Sequence, residues 1–284
     1  MDLSSLEILC AVAAERSITR AAKALGRAPS NVTIRVQQLE RDLGVELFSR
    51  DGRRMTLTRE GETFLSYAKR LLGLARQARE AVRPLVPAGN LRLGSMESTA
   101  ASRLPGALER FHARWPSVTV KLAMGATREL IRDVLDDRLD CALIARPTDE
   151  MPGFDDVDIE RVFTEELLIV LPSDHPDIND AADLRVDTLV ALEPGCTYRR
   201  IAEGWGSRSP GLHTAEVTSY HAILASVAAR EAVGVIPRSV LDLMPGSSPL
   251  KAHSLGDVDT LFIRRRDSRP PAFDAFRDAL TAGA

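Results

Sequence analysis

The sequence predicts an α/β protein of two parts: a small helical unit closed by a hairpin, then a long helix leading into a larger layered domain. Three observations predict it. Residues 1–58 carry helical apolar spacing punctuated by glycine and end in two short strand-like runs. Residues 59–83 hold one unbroken helical seam, and from residue 91 onward β-type runs alternate with helical ones. Strands alternating with helices imply α/β layers and mostly parallel sheets.

The first helix spans 3–15, with Leu3, Leu6, Leu9, Cys10 and Ala13 on one face. Ser17 caps a short alanine-rich helix that runs from Ile18 to Leu25 and stops at Gly26. A third helix begins at Pro29 or Ser30 and reaches Leu43, with Val32, Val36, Leu39 and Leu43 inward, and Gly44 ends it. Residues 45–58 form two strands about the Asp51-Gly52 turn. In the long helix Phe64, Ala68, Leu71, Ala75, Ala78 and Val82 alternate steps of four and three, an a/d seam of nearly three heptads. Pro84, Pro87 and Gly89 make a hinge.

Beyond the hinge, strands are expected at 91–95, 118–124, 141–145, 166–171, 188–192, 214–218, 233–236 and 259–264. Helices are expected around Leu104–Trp115 and at 127–138, 198–204, 219–231 and 271–281. The organisation is therefore 1–58, a linker helix and hinge at 59–89, and a domain at 90–284. That domain divides into one lobe of about 90–162 with 265–284, and a second of about 163–264.

Net charge is −3, which alone argues against a nucleic-acid partner, but the charge is unevenly placed. Residues 1–83 hold 15 Lys and Arg against 10 Asp and Glu, while the rest holds 22 against 30. Such asymmetry marks a nucleic-acid-binding part joined to another part. The three cysteines Cys10, Cys141 and Cys196 are far apart and form no C-x-x-C, so a reducing compartment is expected. The start, Met1-Asp2-Leu3-Ser4-Ser5, lacks the basic and apolar stretches of a signal peptide, and no apolar run has the length of a membrane helix. A cytoplasmic protein with no membrane partner is expected.

A short helix, a glycine turn and a second helix give helix-turn-helix geometry, in which the second helix presents its N-terminal residues to base edges in the major groove. The outward residues there are Ser30, Asn31, Thr33, Ile34 and Arg35. Asn pairs with adenine and Arg with guanine in bidentate fashion. Arg50, Arg53 and Arg54 cluster on the hairpin, where cations neutralise phosphates without reading sequence. Double-stranded DNA is the partner this arrangement fits; the bland alternative is a three-helix packing module with solvated charges.

Residues 1–60 resemble the LysR-type regulator family through Leu6–Ala13, Ser17-Ile18-Thr19-Arg20-Ala21-Ala22, Leu39-Glu40-Arg41-Asp42-Leu43-Gly44, Leu47-Phe48-Ser49-Arg50 and Leu57-Thr58-Arg59-Glu60-Gly61. The resemblance extends over the whole chain. It implies an N-terminal winged helix-turn-helix, a long dimerisation helix and a C-terminal two-lobed, periplasmic-binding-protein-like α/β domain that binds an effector. It also implies a homodimer or homotetramer acting at a promoter operator, with RNA polymerase as a further partner. The a/d seam supports the dimer independently. One departure is Pro29-Ser30-Asn31 at the start of the recognition helix, where family members usually carry Gln or Ser. Base preference is therefore not transferable.

In open α/β sheets ligands sit at the carboxyl ends of strands, near helix N-termini. That rule selects Ser98 and Thr99 after the first strand, Thr127 after the second and Arg146 after the third. In the other lobe it selects Cys196, Thr197, Tyr198, Arg199 and Arg200, with Tyr220 opening a later helix. Hydroxyls, helix N-termini and arginines together favour an anionic group, so a small carboxylate-bearing effector is expected. The stretches 97–101, 196–200 and 219–227 are similar to those of a subgroup that includes putrescine-utilisation regulators.

Nothing in the sequence marks an enzyme or a cofactor site. The five histidines have no metal-ligand spacing, and neither a G-x-S-x-G elbow nor a phosphate loop occurs. His175, in Pro172-Ser173-Asp174-His175-Pro176, reads as a structural turn residue, and Cys196 as a buried or pocket-lining thiol rather than a nucleophile paired with His221. The rival readings are a solute-binding protein with an accessory N-terminal module, and an α/β enzyme fused to a DNA module. The first requires a secretion signal and the second a catalytic motif.

Overall fold

A computed structural model describes residues 1–51, 54–81, 89–244, 250–266, 268, 270 and 272–282. The chain divides into two compact units, Met1–Pro84 and Leu85–Ala284.

The first unit contains α1 (Leu3–Glu15), α2 (Ile18–Ala24), α3 (Pro29–Leu43), the antiparallel pair β1 (Phe48–Asp51) and β2 (Arg54–Leu57), and α4 (Arg59–Ala81). Asp2 caps α1 by accepting the Ser5 N–H at 2.8 Å, and Ser17 caps α2. Both caps satisfy N–H groups that the helix itself leaves unbonded. Leu6, Ile8, Leu9 and Val12 of α1 are wholly buried with Ala21, Ala22, Val32, Val36 and Leu39. The inward face of α1 is displaced from the expected one: Leu3 is exposed and Cys10 and Ala13 are half-buried, whereas Ile8 and Val12 are buried because α2, α3 and α4 all pack on this helix. Gly61 lies where α4 crosses the start of the hairpin. A Cβ there would stand 2.0 Å from the Leu47 carbonyl oxygen, so only glycine permits this approach.

The seam of α4 is split. Phe64 and Ala68 pack into the core of their own unit, joined by Leu65 and Leu72. Tyr67, Leu71 and Leu74, spaced i, i+4, i+7, remain exposed at 55%, 40% and 57%. The upper seam is therefore intramolecular, and an outward apolar stripe is left beside it. Val82, Pro84 and Pro87 lie outside the described residues.

The second unit is built on one eight-stranded sheet. Its elements are β3 (Gly89–Ser95), α5 (Glu97–Ser102), α6 (Leu104–Arg114), β4 (Val118–Met124), α7 (Thr127–Leu135), β5 (Cys141–Ala145) and β6 (Val157–Pro172). Then come β7 (Thr188–Ala191), α8 (Thr197–Gly206), β8 (His213–Glu216), α9 (Tyr220–Ala228), β9 (Val233–Pro237), α10 (Arg238–Asp242), β10 (Leu250–Arg265) and α11 (Phe273–Thr281). The strand order is β4-β3-β5-β10-β6-β9-β7-β8. Parallel ladders at the two ends, β4-β3-β5 and β9-β7-β8, are joined by the antiparallel pair β6 and β10.

β6 and β10 belong to both halves. Thr260–Ile263 of β10 pairs with β5, whereas Leu167–Val170 of β6 pairs with β9. Register shifts between Ser254 and Gly256 and between Thr260 and Leu261 put irregularities along this pair, the kind of feature that bends a ladder. Both strands are longer than expected, 16 residues each. The apolar text marks only the portions covered on both faces, such as Leu167–Leu171 and Leu261–Ile263; the remaining portions are partly solvated and polar. The mixed pairing also corrects the expectation of a mostly parallel sheet.

α6 and α11 cover one face of the first half-sheet through Leu104, Phe111 and Phe276, with Phe262 stacked on Phe273 at 4.6 Å between ring centroids. In the second half α9 seats on β9 at Gly234, where a Cβ would meet Ile223 Cγ2 at 2.3 Å. These packings fix the carboxyl ends of β3, β4, β7 and β8 and the helices that follow them.

Candidate functional site: an exposed helix tip and an acidic cleft

In the first unit, α3 is inserted by one face and bare on the other. Val32, Val36 and Leu39 are 0–3% exposed, whereas Ser30, Asn31, Ile34 and Arg35 face solvent and Thr33 is half-buried. Thr33 Oγ1 donates to the Pro29 carbonyl at 3.0 Å, so its hydroxyl is turned back along the helix. Arg35 pairs with Asp2 at 3.1 Å, a contact 33 residues apart in sequence. Both partners are half exposed, so the pair costs little to exchange for another anion. Glu40, on the last turns of α3, accepts the backbone N–H groups of Leu47 at 2.9 Å and Phe48 at 3.2 Å. It thus ties the helix to the hairpin. Arg50 and Arg54 lie on β1 and β2, and Arg53 lies outside the described residues.

In the second unit a cavity of about 420 Å³ opens between the two half-sheets. Small-ligand sites span roughly 300–1,000 Å³. Of the residues expected at an effector site, Ser98, Thr127, Cys196, Tyr198 and Tyr220 line it together. Thr99 and Thr197 are buried beside these residues but do not line it. Arg146 and Arg199 do not line it either. Arg146 pairs with Asp259 at 3.1 Å; Arg199 pairs with Glu203 at 2.8 Å and Glu216 at 3.3 Å, and donates to the Leu192 carbonyl at 2.9 Å. Arg200 pairs with Asp149 at 3.4 Å.

The lining also contains Glu97, Glu129 and Glu193, with Met96, Met124 and Leu192 supplying apolar wall. No Lys, Arg or His is among the lining residues. Glu97 follows β3 and Glu193 follows β7, so the carboxyl-end rule already reached both places. Polar hydroxyls drew attention there and the carboxylates did not. Burial pushes the Glu97 carboxyl above its ordinary value, opposed by the Tyr220 N–H it accepts and reinforced by the nearby Glu193 charge. Burial likewise raises the Tyr198 and Tyr220 phenols and the Cys196 thiol. A thiol held protonated in this way is a poor nucleophile.

Some of the helix N-terminal N–H groups around the cavity are answered by the chain itself. Glu97 accepts the Tyr220 N–H, Ser219 Oγ accepts the Ala222 N–H at 3.2 Å, and the Gly195 carbonyl accepts the Arg128 N–H at 3.3 Å. The Cys196 sulfur takes the Tyr198 and Arg199 N–H groups. A carboxylate-bearing effector therefore does not find the expected arginines in this lining, although α5 and α7 begin there without a side-chain cap. Several contacts bridge the half-sheets. Arg128 meets Gly195, Arg128 and Arg200 share Asp149, and Glu165 on β6 receives the Ser239 N–H at 3.0 Å while facing Arg103 at 3.6 Å. His175 has a structural role: its Nε2 accepts the Arg185 N–H at 3.0 Å and its Nδ1 bonds the Pro176 carbonyl at 2.8 Å.

Residues 3–62 match the model of the bacterial regulatory helix-turn-helix protein, lysR family, and residues 85–284 match the LysR substrate binding domain. The chain is 35% identical over 285 residues to the HTH-type transcriptional regulator GltR of Bacillus subtilis, covering 97% of this chain and 95% of that protein. It is 30% identical to the HTH-type transcriptional regulator SoxR of an Arthrobacter species, covering 94% and 92%. Among solved structures it is similar to full-length OxyR of Pseudomonas aeruginosa, a cysteine-to-aspartate variant, with TM-score 0.74, 25% identity and coverage of 99% and 94%. It shares the fold of CbnR solved with its target DNA, with TM-score 0.65, 23% identity and full coverage of both chains. The helix tip, the hairpin and the two-lobed domain each fall within a matched model, and the chain belongs to the LysR family of DNA-binding transcription regulators with an effector-binding domain.

Proposed function

We propose that this chain reads its operator with Ser30, Asn31, Thr33 and Arg35 and grips the flanking phosphates with Arg50, Arg53 and Arg54. The observation that carries this is the two-faced α3: Val32, Val36 and Leu39 are buried while Ser30, Asn31 and Arg35 face solvent at its N-terminal half, Arg35 in a half-exposed pair with Asp2. A recognition helix needs that combination, because its base-reading side chains hold their geometry only if the opposite face is anchored. CbnR, of the same fold, has been solved on its target DNA. Two copies of the chain join through the exposed stripe of Tyr67, Leu71 and Leu74, giving a homodimer that pairs further to a homotetramer. The assembly works beside the chromosome, in the cytoplasm, and meets RNA polymerase at the promoter. It is a regulator and not an enzyme, a reading supported by relatives that are transcriptional regulators.

The effector occupies the cleft between the half-sheets, touching Ser98, Thr127, Cys196, Tyr198 and Tyr220. Ligand binding shifts a population only by as much as it favours one state. A ligand bound to both half-sheets would favour the state in which the bridging contacts at Asp149, Gly195 and Glu165 are made. A carboxylate on the effector is not carried into this proposal, because the lining offers it three glutamates and no cation.

The decisive experiment is fluorescence anisotropy of the full chain on the DNA upstream of its own gene. Specific binding that Asn31→Ala weakens on that DNA but not on random duplex supports the reading. Equal affinity of the folded chain for own and random DNA at every salt concentration overturns it.

A further inference from the structure

Resting on the cleft as effector site, we infer that the effector is a small cation: a molecule with a protonated amine and a short apolar body, its nitrogen held at Glu97 and Glu193. The charge in the lining points one way. Glu97 is half-buried, and among the described residues neither it nor Glu193 has an ion-pair partner; Glu129 is paired with Arg132 at 3.3 Å. His221 is the basic side chain that acts on Glu97, and it stands outside the lining. Two carboxylates close enough to repel each other, at the mouth of a cavity without a cation, are relieved by a bound positive charge.

A second observation is independent of the acids. Ser98 is 2% exposed and lines the same cavity; its Oγ interacts with the Tyr198 and Tyr220 phenols but makes no well-formed hydrogen bond with either. A buried hydroxyl so poorly bonded gains when a better-placed donor reaches it. An ammonium, which carries three donors and no acceptor, supplies a donor to that oxygen as well as to the two carboxylates. The faces of Tyr198 and Tyr220 and the side chains of Met96, Met124 and Leu192 suit the apolar remainder. A carboxylic acid of the same size would bring its charge against Glu97 and find only neutral hydroxyl donors, with no cation to pair it.

The test is calorimetry and thermal shift on the full chain with three size-matched probes: butylamine, butan-1-ol and butyrate. Butylamine is expected to bind and raise Tm, with butanol weaker and butyrate without effect. Glu97→Gln and Glu193→Gln should each weaken butylamine by roughly 10-fold or more, the loss of one charge-assisted hydrogen bond, and leave butanol unchanged. The glutamine oxygen at 97 still accepts the Tyr220 N–H, so the fold is retained. Met124→Trp, at the exposed lip, should block every probe that uses the cleft. Butyrate binding more tightly than butylamine, or butylamine indifferent to both glutamine variants, overturns the cation while leaving the cleft standing if Met124→Trp still blocks. Probes that bind regardless of Met124→Trp, or no binding by any probe to folded protein, overturn the cleft and the cation together.

Discussion

The Glu40 carboxylate of α3 accepts the Leu47 N–H at 2.9 Å and the Phe48 N–H at 3.2 Å, so one side chain joins the recognition helix to the first strand of the wing. Both N–H groups are partly buried and have no alternative acceptor among the hydrogen bonds of the described residues. Truncating the acceptor leaves them unsatisfied, at a cost of about 1–3 kcal/mol. Glu40→Ala is therefore expected to lower the Tm of the N-terminal unit and to weaken DNA binding, whereas Glu40→Gln, which keeps an acceptor oxygen, should lose less. Urea melts of both variants followed by circular dichroism check it. Equal stability of the two would show that the acceptor is not what matters.

Gly61 makes a harder demand. A Cβ would stand 2.0 Å from the Leu47 carbonyl oxygen and 2.9 Å from its carbon, and both are backbone atoms that cannot rotate away. Alanine in a helix interior ordinarily gains roughly 0.5–1 kcal/mol over glycine. Here overpacking should outweigh that gain by about 1–3 kcal/mol or more. Gly61→Ala is expected to destabilise the first unit, read as a lower urea midpoint. A variant as stable as the parent would mean that α4 does not approach the hairpin this closely.

On DNA, the helix tip and the wing should separate by salt. On the proposed roles, Asn31→Ala should relax sequence discrimination with the salt slope unchanged. Arg53→Ala should weaken binding to all sequences and reduce the slope of log K against log salt by about 1. Anisotropy titrations across a salt series distinguish them. A change of specificity in the wing variant, with no change in slope, would reverse the assigned roles. Arg35 adds a further reading: on its proposed role, DNA competes with Asp2, 3.1 Å away, for its guanidinium, so Asp2→Asn, whose amide oxygen still caps α1, should tighten DNA binding modestly.

How much of this was legible before any coordinates follows from sequence distance. The two-faced α3 was legible, because Val32, Val36 and Leu39 recur at helical spacing within one element. The Asp2–Arg35 pair was not, since nothing local announces a partner 33 residues away. The seam of α4 read as one stripe, yet Phe64 and Ala68 turn into their own core; a seven-residue repeat reports an apolar face without saying which molecule covers it. The cleft residues Ser98, Cys196, Tyr198 and Tyr220 were found by the strand-end rule. Glu97 lies next to Ser98 and Glu193 three residues before Cys196, yet neither was singled out, because an anion was expected at the helix N-termini. The structure spends part of those N–H groups on Glu97, Ser219 and Gly195. The extra lengths of β6 and β10 were hidden by their polar, half-solvated portions.

Glu97 gives a prediction in pH. Burial raises its carboxyl above 4.5, Glu193 adds to the rise, and the Tyr220 N–H and His221 oppose it. The folded state therefore binds this proton more tightly than the unfolded chain does. Stability from this group is full below pH 4.5 and is lost as pH climbs through the raised folded value. Glu97→Gln carries no such proton, so the Tm of the parent relative to this variant should fall as pH rises from 4.5 toward neutrality. A bound cation favours the ionised carboxylate; saturating butylamine should flatten the difference, and its binding should release protons in that window. Calorimetric titrations in buffers of different ionisation enthalpy measure the release. A difference between parent and variant that grows in favour of the parent with rising pH would show that Glu97 is stabilised as an anion by the chain itself, and would remove its need for a cationic ligand.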